Sequence, residues 1–260
     1  MSAVGYNIAK ALSVLGNTVK LASIIGNDIN GQIIKEHLQH HHIDTSYVLD
    51  LAQATAQSTV LYDRTGKRMA MTDLKDITEC TYPPDFFRQA IEDSDLVVLT
   101  NITYNKTLLP IAQSNQKIIV TDLSDLYNLP FLQHANMLFM SGELLEIPLD
   151  EWTATLFHQY PADIIVIGLG SCDAYLSVRE PSLHMHIPVV VTCPIVQTGG
   201  AGDALFAAFL HGYLLIKDPL RSLRAATLFA SYKIGVAGSG EGFLTCTQLK
   251  ELMSVHYRGM

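Results

Sequence analysis

Four apolar runs, "DLVVLTN", "KIIVTDLS", "MLFMSG" and "DIIVIGLG", follow one another between residues 95 and 170, separated by stretches whose apolar residues recur at helical spacing. The separators are "NKTLLPIAQS", a short segment at about 126 to 134, and "EWTATLFHQY", and a further helical stretch, "PDFFRQAIED", precedes the first run. A strand that is apolar on nearly every residue has to be covered on both faces. Strands that alternate with helices lie parallel, with the helices as the covering layers. The pattern therefore predicts an α/β fold with a mainly parallel central sheet between two layers of helices.

The flanking segments fit that plan. Ala3, Ile8, Ala11, Leu12 and Leu15 give a helix over residues 3 to 15 that stops at Gly16, and the strand-like "TVKLASIIG" follows. A second helix, about 29 to 40, leads into "TSYVLD". The stretch "STVLYDRTGKRMAMTD", residues 58 to 73, alternates apolar and polar residues about the turn "DRTG" and reads as an antiparallel hairpin. "CDAYLSVR" and "LHMHIPVV" suggest another at a sheet edge, and helices at 202 to 216, about 221 to 237 and near 247 to 256 close the chain. With no internal repeat or linker, residues 1–260 are expected to form one domain.

At 260 residues and 48% hydrophobic content, the chain can bury a sizeable core. Its 17 Lys+Arg against 25 Asp+Glu, net charge −8, include no basic cluster that could neutralise a phosphate backbone, which argues against nucleic acid as a partner. The cysteines, Cys80, Cys172, Cys193 and Cys246, show neither CxxC nor zinc spacing and read as reduced thiols of a cytoplasmic protein. The apolar amino terminus lacks a basic leader and is interrupted by Asn7 and Lys10, and the other apolar runs are too short to span a membrane. "HLQHHHID", residues 37 to 44, reads as an exposed helix end whose histidines suit the helix dipole, with a metal-binding tract as the alternative.

Chemistry is concentrated in "VQTGGAGDALFAAFLHGYLL", residues 196 to 215. Gly199, Gly200, Ala201 and Gly202 precede a helix expected to start around Asp203. Small side chains there let backbone N–H groups approach an anion, and the helix dipole adds to the attraction. A carboxylate beside a bound phosphate is repelled by it, unless it accepts the proton of a hydroxyl that attacks the phosphorus. The bland alternative is a tight turn followed by an N-terminal helix acid. The P-loop pattern GxxxxGK[ST] is absent, and "IGLGSCDA" lacks the third glycine and the later acid of a dinucleotide-binding turn. Phe206, Phe209 and Tyr213 lie at helical spacing and are read as core.

"TGGAGDALFAAFLHG" closely resembles the "TGAGD" signature of ribokinase-like (PfkB family) sugar and nucleoside kinases. Other matches fall in family order: "SAVGYNIAKALSVLG" with "GGxxxNxAxxLxxLG", "IGNDINGQIIKEHL" with "GxDxxG", and "VIGLGSCDAYL" with "TLGxxG". The resemblance implies a three-layer αβα sandwich with a small β lid, formed here by the 58–73 hairpin, and a possible homodimer through that lid. It implies ATP as donor with Mg2+, a monovalent cation such as K+ as an optional cofactor, and a small-molecule sugar or nucleoside as acceptor. By carry-over, Gly200, Ala201 and Gly202 form the anion hole, Asp203 is the catalytic base, and Gly5 and Asn7 lie beside the acceptor. Gly170 falls near the nucleotide. In "SGELLE", Ser141 stands where the family's "NxxE" has asparagine, and the acid is displaced to Glu143, an indirect metal partner.

"DRTGKRMAMTDLKDI" and "LTNITYNKTLLPIA" are similar to parts of pseudouridine kinases, which favours a nucleoside 5′-hydroxyl over a free sugar. Asp73 is then either a substrate-side residue or a turn acid. The sequence also departs from the family. Ser2 and Ala3 replace the paired glycines, so the family's first strand and first lid strands, with the acid they carry, would precede residue 1. Either the coding start lies upstream, or the chain is a fragment or a degenerate relative. Gln197 replaces an acid, Gly199 a threonine or asparagine, Gly168 a threonine and Asp173 a glycine. The competing reading is therefore a truncated or degenerate ribokinase-like ligand-binding protein without catalytic activity.

Overall fold

The computed structural model describes residues 2–62, 68–123 and 128–257. The turn "DRTG" and the first residues of the helix expected at about 126 lie outside them. The six-stranded sheet has the order β10-β9-β8-β7-β6-β5. Strands β5 (Leu96–Val98), β6 (Ile118–Leu123), β7 (Met137–Ser141) and β8 (Ile164–Gly168) run parallel, and β9 (Asp173–Val178) and β10 (Leu183–Pro188) add antiparallel at the edge. This is the ribokinase-like three-layer arrangement.

Alternation along the strands divides the core. Leu138, Met140, Ile165, Ile167 and Tyr175 enter the layer made by α3 (Pro84–Ile91), α4 (Leu109–Ser114), α5 (Leu129–His134) and α6 (Leu149–Gln159). Their neighbours Met137, Phe139, Ile164, Val166 and Leu176 enter the opposite layer, made by α1 (Val4–Val14), α7 (Ala201–Ile216), α8 (Pro219–Lys233) and α9 (Cys246–His256). Ala204 and every residue from Phe206 to His211 are buried, so α7 is a core helix rather than an amphipathic surface one. Phe139 stacks on Phe206 with ring centroids 4.0 Å apart and meets Phe209 edge-on at 5.3 Å, which assigns Phe206 and Phe209 to packing.

Beside this sheet, β1 (Ser23–Gly26) pairs in parallel with β2 (Val48–Ala52). Ile25 and Val48 pack with Tyr6, Ala9, Leu38 and Ile43, joining this small sheet to α1 and α2 (Ile29–His40). The hairpin is present as β3 (Gln57–Tyr62) and β4 (Arg68–Asp73), with Thr59 opposite Met71 and Leu61 opposite Met69. His37 and His40 are exposed in the last turn of α2.

Several expected boundaries move. "TVKLASIIG" is regular only over Ser23–Gly26, with a single bridge from Lys20 to Asp44. "NKTLLPIAQS" divides into a 3-10 turn, Thr103–Thr107, and α4, whose first turn contains Pro110 without an N–H to continue the earlier turn. α8 starts at Pro219, where the Asp218 side chain accepts from Arg221 N at 3.0 Å, and ends at Lys233. Most relevant here, α7 begins at Ala201 and not at Asp203, so Asp203 lies inside the first helical turn.

Candidate active site

The residues from 196 to 200 approach α7 along the segment that leaves α8. Val196 N and Gln197 N both donate to Ile234 O, at 2.8 and 3.0 Å, and Gly238 N donates to the Gln197 side-chain carbonyl at 2.6 Å. Gly200 has φ +80°, and a Cβ there would lie 2.1 Å from Ser239 O. Glycine is required both by the left-handed backbone and by the closeness of the second loop. A Cβ on Gly202 would meet nothing within 4 Å. Ala201 N already donates to Thr198 O at 3.2 Å, whereas the N–H groups of Gly200 and Gly202 have no backbone acceptor among the described residues. Of the three expected anion-hole donors, Ala201 is thus partly engaged by its own turn.

Asp203 meets the first helix of the chain. Asn7 Nδ2 donates to Asp203 Oδ2 at 2.6 Å and to Ser2 Oγ at 3.1 Å. Asn7 is buried, and its Oδ1 lacks a hydrogen-bond partner among the described residues. An unsatisfied buried acceptor is costly, and it sits against the carboxylate where an incoming hydroxyl could supply the missing donor. Gly5 lies one turn away on α1, where the nearest atom to an added Cβ would be the Thr100 methyl at 3.9 Å.

Three residues not singled out in the sequence complete this end of the sheet. Asp122, near the end of β6, accepts from Asn101 N at 3.2 Å, and Asn128 Nδ2 donates to Asn101 Oδ1 at 2.5 Å. Burial pushes the Asp122 carboxyl up to about 6; the Asn101 N–H pulls it down and the Asp203 charge adds to the rise. A carboxylate at the carboxyl end of a parallel strand was the available signal.

The expected nucleotide-side residues occupy neighbouring strand ends. Ser141 pairs with Gly168 across β7 and β8, and its Oγ accepts from Glu143 N at 3.4 Å at the start of the short 3-10 turn Gly142–Leu144. Glu143 is exposed, and Gly170 takes φ +67° with open space around its Cβ position. Asp73 does not join Asn7 and Asp203. It is exposed, pairs with Lys75 Nζ at 2.5 Å and accepts from Lys75 N at 3.1 Å, bonds that hold its carboxyl below the usual range. This is the geometry of a turn acid. No cluster of three or more His, Cys, Asp or Glu able to hold a metal is found among the described residues. Mg2+ that arrives on a nucleotide keeps several waters and needs only one or two carboxylates, so exposed Glu143 fits an indirect contact.

A carboxylate in the first turn of a helix, next to glycine N–H groups and at the carboxyl ends of parallel strands, suits a base beside an anion. Residues 4–246 match the pfkB family of carbohydrate kinases. The chain belongs to this family. PfkB carbohydrate kinases are ATP-dependent phosphotransferases with an alcohol as acceptor. The deoxyribokinase of Salmonella typhi is 22% identical over 97% of this chain and 87% of its own. Among solved structures, the microbiome-derived acarbose kinase Mak1 has a TM-score of 0.86 at 25% identity, covering 96% of this chain and 86% of Mak1. A ribokinase II structure from E. coli, in complex with ATP and Mg2+, has a TM-score of 0.83 at 17% identity, covering 98% and 89%. The similarity to that last structure is one of fold. A surface concavity of about 350 Å³, lined by Arg88, Gln89, Glu92, Asn115 and Lys117, is formed away from this site by residues that flank the starts of β5 and β6.

Proposed function

We propose that this chain transfers the γ-phosphoryl group of ATP to a hydroxymethyl group of a small sugar or nucleoside, with Asp203 as the general base. The observation that carries the reading is the Asn7–Asp203 bond of 2.6 Å in the first turn of α7, beside the Gly200–Gly202 backbone. Asn7 orients the carboxylate, and its unpaired Oδ1 is placed to accept from the acceptor. As the acceptor oxygen bonds to phosphorus, its proton passes to Asp203, and the bond from phosphorus to the ADP oxygen breaks. The N–H groups of Gly200 and Gly202, with that of Ala201 where its turn bond allows, face the charge that grows on the phosphoryl oxygens. Mg2+ carried by ATP supplies charge neutralisation when bound. Glu143 would hold its water shell, and Ser141 and Gly170 would border the nucleotide.

In this reading residues 1–260 act as one kinase domain in the cytoplasm, with no membrane or nucleic-acid partner. No helix among the described residues is long and apolar enough to cross a membrane. The hairpin serves as lid and as the edge of a homodimer, a role supported by the exposed side chains of Val60, Leu61, Met69 and Met71. The finer assignment of a pseudouridine-like acceptor rests on the two segments at 63–77 and 99–112, and Asp73 would enter that site only by leaving Lys75.

The test is Mg2+-dependent ADP release with a panel of free sugars and nucleosides that includes pseudouridine, alongside Asp203→Asn. Acceptor-dependent release is expected, with a loss of roughly 10² to 10⁴ in turnover in the variant and little change in nucleotide affinity. Unchanged turnover in Asp203→Asn overturns the assigned role. Absence of release from either protein favours a ligand-binding relative instead.

A further inference from the structure

Lys233 is a buried cation that the proposed chemistry does not use. It closes α8 with 0% of its surface accessible, and its Nζ donates to the carbonyl oxygen of Gly199. Burial lowers its pKa, while the carboxylates of Asp203 and Glu241 act in the opposite direction. A buried charge is costly, and an apolar side chain of similar volume would fill the space without that cost. The contact is not with an arbitrary carbonyl.

The Gly199 carbonyl and the Gly200 N–H belong to one peptide plane, and in a trans peptide they point to opposite sides. Holding the carbonyl on Lys233 therefore turns the Gly200 N–H away from α8. The same loop is fixed upstream by Val196 N and Gln197 N on Ile234 O, one residue beyond Lys233. Downstream, Gly200 rests against Ser239 O. The ammonium thus grips the middle of a loop whose two sides are already tied to the same segment.

Resting on the phosphotransfer reading, we propose that Lys233 is a positioning residue whose tethered ammonium aims the Gly200 N–H at the transferring phosphoryl group. The ammonium already occupies the position against the Gly199 carbonyl, so turnover needs no added cation there.

The experiment measures kcat and KM of the full chain, Lys233→Met and Lys233→Ala at constant ionic strength in K+, ammonium or tetramethylammonium, with melting temperatures alongside. The unaltered protein should turn over within twofold in all three salts. Lys233→Met should lose about 10²-fold in kcat with little change in KM and no loss of melting temperature. Lys233→Ala, which leaves room for a small cation, should regain turnover in ammonium or K+ but not in tetramethylammonium. A folded Lys233→Met with unchanged kcat overturns the proposal, as does equal behaviour of Lys233→Ala in all three salts. If Lys233→Ala fails to fold, the methionine variant and the salt series on the unaltered protein decide alone. A protein with no ADP release under any condition overturns the phosphotransfer reading itself, whereas an active protein with an active Lys233→Met overturns only the role of Lys233.

Discussion

Replacing Asp122 by Asn should stabilise the protein at neutral pH and leave it nearly unchanged in acid. Asn keeps an oxygen to accept from Asn101 N and removes only the charge. Burial raises the folded carboxyl from the ordinary 3.8 to about 6. At about 1.4 kcal/mol for each pH unit, ionisation of the folded protein is disfavoured by about 3 kcal/mol. The sign is opposite to that of a salt-bridged acid. Below about pH 4 the carboxyl is neutral in both states and the two proteins should match. Between about 4 and 6 the unfolded chain ionises while the folded one holds its proton, so the unsubstituted protein loses stability as pH rises. Above about 6 the loss is complete and the variant should lead by the full amount. Urea unfolding of both proteins at pH steps from 4 to 8, without ligands, reads the difference directly, because the other titrating groups cancel. A difference that does not vary with pH, or that favours Asp122 at pH 8, would refute the argument.

Other substitutions separate loop shape from chemistry. Gly200→Ala places a methyl against Ser239 O at a left-handed φ, so both melting temperature and turnover should fall, with a stability cost of about 1–3 kcal/mol. Gly202→Ala meets open space in a helical turn and keeps its N–H, so the melting temperature should hold or rise slightly; a loss of turnover there would report the closeness of the phosphoryl group to the residue 202 backbone. Asn7→Leu removes the donor to Asp203, and acceptor-dependent kcat/KM should fall about 10- to 100-fold while ATP affinity measured by calorimetry stays within twofold.

The sheet was legible because β6, β7 and β8 are apolar on both faces, a pattern that depends only on local sequence. The β3–β4 hairpin was legible for the complementary reason, since alternation about a turn needs no partner outside the segment. Asp203 was readable as an acid behind glycines, and family resemblance placed Asn7 on the acceptor side, yet the bond between them joins residues 196 positions apart and has no local signature. For Asp73, nothing in "MTDLK" distinguishes an acid held by Lys75 from one reaching toward a substrate.

Asp122 and Lys233 explain what remained hidden. In "KIIVTDLS" an acid looks like the polar end of a strand, and in "FASYKIG" a lysine looks like an ordinary last-turn cation suited to the helix dipole. Their burial is created by segments distant in sequence, Asn101 over Asp122 and Gly199 over Lys233. Both groups are shielded where the strands end and α7 begins, while Lys117, one residue before β6, is half-buried and donates to Glu92 O and Ser94 O at 2.9 Å each. Hydrophobic packing alone would expel ionisable groups from both ends of the sheet equally. Their retention at the carboxyl end, with Asp203 acting electrostatically on both, is what a site that must hold a phosphoryl group and move a proton requires.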